Sequence, residues 1–246
     1  MSSRVLLIHS GGLSSRQWRK LGELLSPDHD VVMPDLLGYG AQERWPIGKP
    51  FHFRDDVGHL ANLLDGTRAH IVGHSYGGLL ALQLALSHPG LIRTIAVYEP
   101  VAFGILRDDT GARSDILEIT AYAPDDDGND ESWLTGFVDW WQGPGVWATL
   151  SPKTQQSFRD VGWKLSEEVA SLSADHTDAG IYGTIHASTL LMAGAKTQPV
   201  ELRVCERLAA ALPNATLTVF PELGHMGPIT AAAEVNAVIA DFINRH

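Results

Sequence analysis

Gly73-His74-Ser75-Tyr76-Gly77-Gly78 is the stretch whose reading decides the fold. It follows the short apolar run Ile71-Val72 and opens a segment, Tyr76 to Ser87, that is apolar nearly all round. The first run reads as a strand and the second as a buried helix, stopped by His88-Pro89-Gly90. The hexad satisfies G-x-S-x-G in the setting that motif requires, with a strand before it and a helix after it. A sharp strand-to-helix turn lifts the serine above the sheet edge, and the glycines two before and two after leave room for that turn. The helix beginning directly after Ser75 aims its N-terminal N–H groups and the positive end of its dipole at an oxyanion. Ser75 is the candidate nucleophile, and the Tyr76 amide is one candidate oxyanion donor.

Outward from this point the chain alternates. Val5-Leu6-Leu7-Ile8, Val31-Val32-Met33, Thr94 to Tyr98, Leu190-Leu191-Met192 and Leu217 to Phe220 read as further strands. Trp18, Leu21, Leu24 and Leu25 mark a helix face, with Ser14 or Ser15 as its cap. Phe53, Val57, Leu60 and Leu64 mark a second helix, and Val200 to Leu212 and Ala231 to Asn244 read as two more. Six strands alternating with helices predict an α/β fold, a doubly wound and mostly parallel sheet. From Phe103 to Ala187 the pattern turns irregular, acidic and rich in Trp. We expect a small helical cap at 103–187, inserted into a core made of 1–102 and 188–246. Sites in such sheets lie beyond the carboxyl ends of the strands.

A serine hydroxyl needs a base. His225, in Leu223-Gly224-His225-Met226-Gly227-Pro228, follows the last strand at its carboxyl end, on the same sheet edge as Ser75. The order serine first and histidine last also fits. His9-Ser10-Gly11-Gly12 ends the first strand and is the place for a second oxyanion donor: Gly11, with Gly12 or Leu13 as alternatives.

Composition sets the outer bounds. The 246 residues are 44% apolar and 19% charged, as in an ordinary globular protein. No run of about 18 apolar residues suggests a membrane span. No signal-peptide pattern precedes the first strand, so a cytoplasmic location is expected. The single cysteine, Cys205, excludes an internal disulfide and a thiolate-cluster metal site, and reads as a helix residue used in packing or at the surface. A formal net charge of −11 disfavours nucleic acid and anionic membranes as partners. Asp125-Asp126-Asp127-Gly128-Asn129-Asp130 fails the EF-hand template and reads as a solvated acidic turn. No cofactor motif is present, so no cofactor is expected.

Taken together, these motifs resemble the α/β-hydrolase fold superfamily, in its small single-chain form with a helical cap. The residues that carry the resemblance are His9-Ser10-Gly11-Gly12, Pro34-Asp35-Leu36-Leu37-Gly38-Tyr39-Gly40, the elbow at Gly73 to Gly78, Tyr98-Glu99-Pro100 and Gly224-His225-Met226. The resemblance implies a serine hydrolase with a nucleophile–histidine–acid triad. The sequence departs from the family pattern twice. Ser10 stands where a glycine is usual. The Asp most often found about three residues past the glycine after the post-cap strand is missing, for Gly194-Ala195-Lys196-Thr197-Gln198-Pro199 contains no carboxylate.

Glu99 is the first candidate for the missing acid, because it ends the strand after the nucleophile helix, on the correct edge. Glu201 begins the next helix and is expected to point to solvent. Asp175 and Asp178 close the cap and would have to fold back. A Ser–His dyad without an acid is the remaining alternative. Phe137, Trp140, Trp141, Trp147 and Trp163 cluster in the cap, mostly as its own core, and at most one of the adjacent Trp140 and Trp141 should face a pocket. The expected activity is hydrolysis of a small, fairly apolar ester or thioester through an acyl-enzyme. Alternatives are C–C hydrolase, lyase or perhydrolase chemistry at the same Ser–His site, or a non-catalytic ligand-binding protein. The expected partner is a small-molecule substrate, and a homodimer is left open.

Overall fold

The computed structural model describes residues 2–109 and 130–246. The chain runs through β1 (Arg4–Ile8), α1 (Arg19–Leu25), β2 (Asp30–Val32), α2 (Phe53–Leu64), β3 (Ala69–His74), α3 (Tyr76–Ser87) and β4 (Ile92–Tyr98). There follow α4 (Glu131–Gln142), α5 (Val146–Thr149), α6 (Pro152–Arg159), α7 (Gly162–Ser173) and α8 (Ala179–Tyr182). The chain then returns to the sheet with β5 (Ser188–Gly194), α9 (Pro199–Ala211), β6 (Ala215–Phe220), α10 (Gly227–Thr230) and α11 (Ala232–Asn244). Among the described residues, no helix is long and apolar enough to cross a membrane.

The sheet has the order β2-β1-β3-β4-β5-β6, and every neighbouring pair is parallel. Its strands read as continuous apolar runs because both faces are covered. Leu6, Ile8, Ile71, Ile95 and Val97 pack with the helices α2, α3 and α9. Their strand neighbours Val5, Leu7, Val72, Ala96 and Tyr98 pack on the opposite face with α1 and α11. This is the period of two written on both sides, and each fully buried side chain contributes about 1.5–3 kcal/mol. Helix α3 is buried from Tyr76 through Ala85, as its all-round apolar sequence requires.

Local departures from the sequence reading have simple causes. β2 stops at Val32, because Pro34 follows and Met33 is half-exposed. A 3-10 turn at Ser15–Trp18 precedes α1, and no serine side chain caps it. The Ser15 N–H instead donates to Asp35 Oδ1 at 2.7 Å, which ties the first loop to the loop after β2. The last helix forms where the sequence places it, at Ala232–Asn244, and Ala231, with φ −127° and ψ 42°, sets it off from the short α10 that precedes it. Residues 125–129 of the acidic turn lie outside the described residues, whereas the Asp130 side chain caps α4 by accepting from the Ser132 and Trp133 amides.

The topology fixes where a site can form. From β1 the chain crosses to β2 on one side, and from β3 it crosses to β4 on the other. β1 and β3 are adjacent, so the crevice lies beyond their carboxyl ends. His9 to Gly12 leave β1 there, and Ser75 leaves β3.

Candidate active site

Ser75 has φ 55° and ψ −118°, and it is one of three described non-glycine residues with positive φ, with Asp65 and Glu99. Such a conformation costs on the order of 1–3 kcal/mol and persists only where its surroundings impose it. Here the Ser75 N–H donates to the Tyr98 carbonyl at 2.9 Å, and the Ser75 carbonyl accepts from Gly78 and Leu79 at 2.9 and 3.1 Å. The glycines answer to close packing. A Cβ on Gly73 would lie 2.5 Å from the Gly77 carbonyl carbon, and one on Gly77 would lie 2.5 Å from the His9 oxygen.

His225 sits in the loop between β6 and α10. Its Nδ1 donates to Glu99 Oε2 at 2.7 Å, and both side chains are buried. Glu99 follows β4 with φ 42°, a second strained residue. Because β4 lies beside β5, Glu99 Oε1 accepts the Gly194 N–H at 2.7 Å and Oε2 accepts the Thr197 hydroxyl at 2.8 Å. The carboxylate-free stretch after β5 therefore supplies donors that hold a carboxylate from the neighbouring strand. With Nδ1 committed to Glu99, Nε2 is the nitrogen of His225 left to act as a base.

The ring is held from two further directions. Trp141 stacks on it at 4.1 Å between centroids and 28° between planes. His74 Nε2 donates to the His225 carbonyl at 2.8 Å, while Gln17 joins His74 Nδ1 at 3.0 Å to the Ser10 N–H at 2.9 Å. Burial, and then the neighbouring His225, push the His74 pKa well below the usual value, so its ring is the neutral donor–acceptor this chain needs. His74 and Gln17 carry no sequence signal beyond their places beside the elbow and the first loop.

In that loop the Gly12 N–H donates to the Tyr39 hydroxyl at 3.2 Å, and the Leu13 N–H donates to the Ser10 carbonyl at 3.3 Å. Among the described residues Gly11 is left as the loop amide without a protein acceptor, and the Tyr76 amide begins α3, where no intrahelical acceptor exists. His9 braces the turn from inside. It is driven down to a pKa of about 4 by burial and accepts the Leu36 N–H at 3.0 Å.

Gly11, Ser75, Tyr76 and His225 line one cavity. Its other walls include Phe137, Trp141, Phe158, Leu165 and Val169 from the segment between β4 and β5, and among the described residues no Lys or Arg lines it. Trp141 faces this cavity and Trp140 does not, and Trp147 packs in the apolar cluster of α4 to α7. Among the described residues the Ser75 hydroxyl makes no hydrogen bond. Serine–histidine bonds are often long in an empty site and tighten as substrate binds.

Residues 5–238 match the model of the alpha/beta hydrolase family. The chain belongs to that family. Among similar proteins is lipase LipV of Mycobacterium tuberculosis (strain ATCC 25618 / H37Rv), 27% identical over 96% of this chain and 92% of the relative. The 2-hydroxymuconate semialdehyde hydrolase of Pseudomonas sp. (strain CF600) is 27% identical over 97% of this chain and 86% of its own. Among solved structures, a variant of the meta-cleavage product hydrolase CumD superposes with a TM-score of 0.69 at 25% identity, covering 100% of this chain and 92% of that one.

The other acid candidates of the hydrolase are placed away from the histidine ring nitrogen or lack a bond to it. Glu201 does not point to solvent. It is fully buried in the first turn of α9, which packs against β5 and β6, and among the described residues neither of its oxygens has a partner. Burial, and then the charge of Glu99, push its carboxyl well above the usual value. Asp175 accepts from Thr177, and Asp178 caps α8. Cys205 is buried and serves packing.

Glu99, Glu201 and His225 place donor atoms within 4.8 Å of one another. A cation there would have to displace the His225–Glu99 hydrogen bond, so the chemistry of the group suits a protonated Glu201 beside that bond better than a metal. Because the folded state holds the Glu201 proton more tightly than the unfolded state, stability is lost as pH rises above the unfolded carboxyl value. Glu201→Gln keeps the shape without the charge. We expect it to gain about 1–3 kcal/mol at pH 8 and much less at pH 4, measured by urea unfolding at both pH values.

Proposed function

We propose that the protein is a serine hydrolase that cleaves a small, fairly apolar ester or thioester through an acyl-enzyme. The observation that carries this reading is the pairing of a strained Ser75 with a Glu99-held His225 on one apolar cavity. Ser75 Oγ attacks the substrate carbonyl as His225 Nε2 takes its proton, and the Gly11 and Tyr76 amides receive the developing oxyanion. Glu99 keeps His225 in the tautomer with a free Nε2 and stabilises the imidazolium. His225 returns the proton to the departing alcohol or thiol. Water, activated by the same nitrogen, then releases the acid and regenerates Ser75.

Residues 103–187 are proposed as a cap, supported by the aromatic and aliphatic side chains that α4, α6 and α7 contribute to the cavity. That lining, which among the described residues holds no cation, supports an uncharged acyl group. No cofactor enters this scheme. A second reading, carbon–carbon bond hydrolysis at the same residues, is favoured by the likeness to 2-hydroxymuconate semialdehyde hydrolase over nearly the whole chain.

The test is a rate panel of p-nitrophenyl esters of graded acyl length, run beside 2-hydroxymuconate semialdehyde. Ester turnover that peaks at short to medium acyl chains supports the first reading. Turnover of the semialdehyde alone would replace it with the second.

A further inference from the structure

Behind the cavity lies a buried group of charges that the scheme above does not use. Lys164 on α7 is 2% exposed, and its Nζ donates to Asp56 Oδ2 on α2 at 2.9 Å and to Glu168 Oε1 one turn further along α7. The Tyr39 hydroxyl, from the loop after β2, donates to Glu168 Oε2 at 3.0 Å, and Tyr76 on α3 donates to Asp56 Oδ2 at 2.9 Å. Lys164 also stands over the Phe51 ring at 3.8 Å. Buried charges in such a place cost several kcal/mol each to desolvate. A merely structural tie between α7 and α2 would need only Lys164 and Asp56.

The remaining pair reaches the reaction centre. The Tyr39 oxygen that donates to Glu168 also accepts the Gly12 N–H at 3.2 Å, so one line of hydrogen bonds runs from the first loop through Tyr39 to α7. The peptide that Tyr39 holds is the one immediately after Gly11. Neither Gly11 nor Gly12 has a side chain to fix its backbone, so the direction of the Gly11 amide depends on what holds its neighbours. Ser10 is held by Gln17, and Gly12 by Tyr39. Glu168 Oε2 lies against the same turn, 2.9 Å from where a Cβ on Gly11 would stand, and Glu168 itself lines the cavity.

We infer that Tyr39 and Glu168 are positioning residues for the oxyanion hole, with Glu168 orienting the Tyr39 hydroxyl and Tyr39 fixing the loop so that the Gly11 amide faces the developing charge. This inference rests on the serine-hydrolase reading of the site. It also gives the hole a pH dependence. Burial, outweighing Lys164 and reinforced by Asp56, holds the Glu168 carboxyl up at about 7. The other titratable groups facing it are Tyr39 and Tyr76, both pushed well above their usual range. A protonated Glu168 must give up an acceptor position. If it keeps Lys164, it becomes a donor toward Tyr39, whose own hydrogen then has no acceptor. The ordered form is the deprotonated one, present above pH 7.

The experiment compares wild type, Tyr39→Phe and Glu168→Gln between pH 5.5 and 8.5. It reads kcat and KM for p-nitrophenyl butanoate, the affinity of an arylboronic acid that forms a tetrahedral Ser75 adduct, and the rate of Ser75 phosphonylation by a fluorophosphonate. Removing an oxyanion donor outright costs about 10²–10³ in kcat, so mispositioning one should cost less. Tyr39→Phe is expected to lower kcat and weaken the boronate by about the same 10–100-fold, with KM within about threefold. Glu168→Gln mimics the protonated acid. It should lower kcat and boronate affinity relative to wild type at pH 8.5, with the difference narrowing toward pH 5.5 as the wild-type Glu168 takes up its proton.

Unchanged kcat and boronate affinity in Tyr39→Phe, with only its melting temperature lowered, would overturn the inference. So would a Glu168→Gln variant whose kcat and boronate affinity at pH 8.5 equal those of wild type. Phosphonylation needs no substrate. If wild type labels at Ser75 but hydrolyses no ester, the substrate reading fails while the labelling rates of the variants still decide this one.

Discussion

Replacing Ser75 by alanine is expected to remove hydrolysis by roughly 10⁵–10⁶-fold while leaving the protein folded. The catalytic loss follows from the position of the hydroxyl. Ser75 is the nucleophilic side chain on the elbow, it lines the cavity shared with His225, and no other serine stands at the start of α3. The retained fold follows from the bonds around it. The elbow is held by backbone hydrogen bonds to Tyr98, Gly78 and Leu79, and by the close approach of Gly77 to His9, none of which uses the Ser75 side chain. Alanine must still adopt φ near 55°, a strain that serine already bears. Kinetics on the best ester of the panel, with an unfolding curve for each protein, check both halves. Residual activity above about 1% of wild type would move the nucleophile elsewhere.

Glu99→Gln is expected to lower kcat by about 10³–10⁴, although it changes only one atom. The direction is dictated by Gly194, whose N–H donates to Glu99 Oε1 at 2.7 Å. A glutamine there must place its carbonyl oxygen against that N–H. Its amide NH₂ then faces Thr197 and His225. Thr197 can turn its hydroxyl and accept. His225 Nδ1, which donates in the wild type, would have to accept, and the ring would then carry its proton on Nε2. A histidine in that tautomer cannot take the proton of Ser75. The measurement is kcat beside the melting temperature, because the variant keeps the shape and most of the bonds of the native side chain. A loss of tenfold or less would show that another group orients His225, and Glu201, one of whose oxygens lies within 4.8 Å of the donor atoms of Glu99 and His225, would be the first to examine.

The fold was legible because its strands carry one signal on both faces. Val5 to Ile8 alternate between the two helix layers, so the sequence there is uniformly apolar, and the same holds for β3 to β5. The elbow was legible because only glycine survives where a Cβ on Gly73 or Gly77 would stand 2.5 Å from backbone carbon or oxygen. The surroundings of the histidine were harder to read. Placing Glu99 beside His225 requires knowing that β4, β5 and β6 are consecutive in the sheet, with Tyr98 opposite Met192 and Gly194 opposite Phe220. Chain order suggested this, but spacing alone did not require it.

Glu201 was misread for a local reason. A glutamate in the first turn of a helix usually faces water, where it complements the dipole, but the start of α9 abuts the end of the sheet. The link from Gly12 through Tyr39 to Glu168 left no trace at all, for its two side chains are 129 positions apart in the chain and belong to different elements. Periodicity reports which face of an element is covered. It does not report which polar group on that face meets which partner.

The central claim is that Ser75 is made nucleophilic by His225. The measurement that tests it most directly is labelling with a fluorophosphonate, followed by intact mass and peptide mapping of wild type and His225→Ala. The account predicts a single adduct on Ser75 in wild type, and labelling at least about 10³-fold slower in the variant. No adduct in wild type, an adduct on another residue, or equal rates in the two proteins would contradict it.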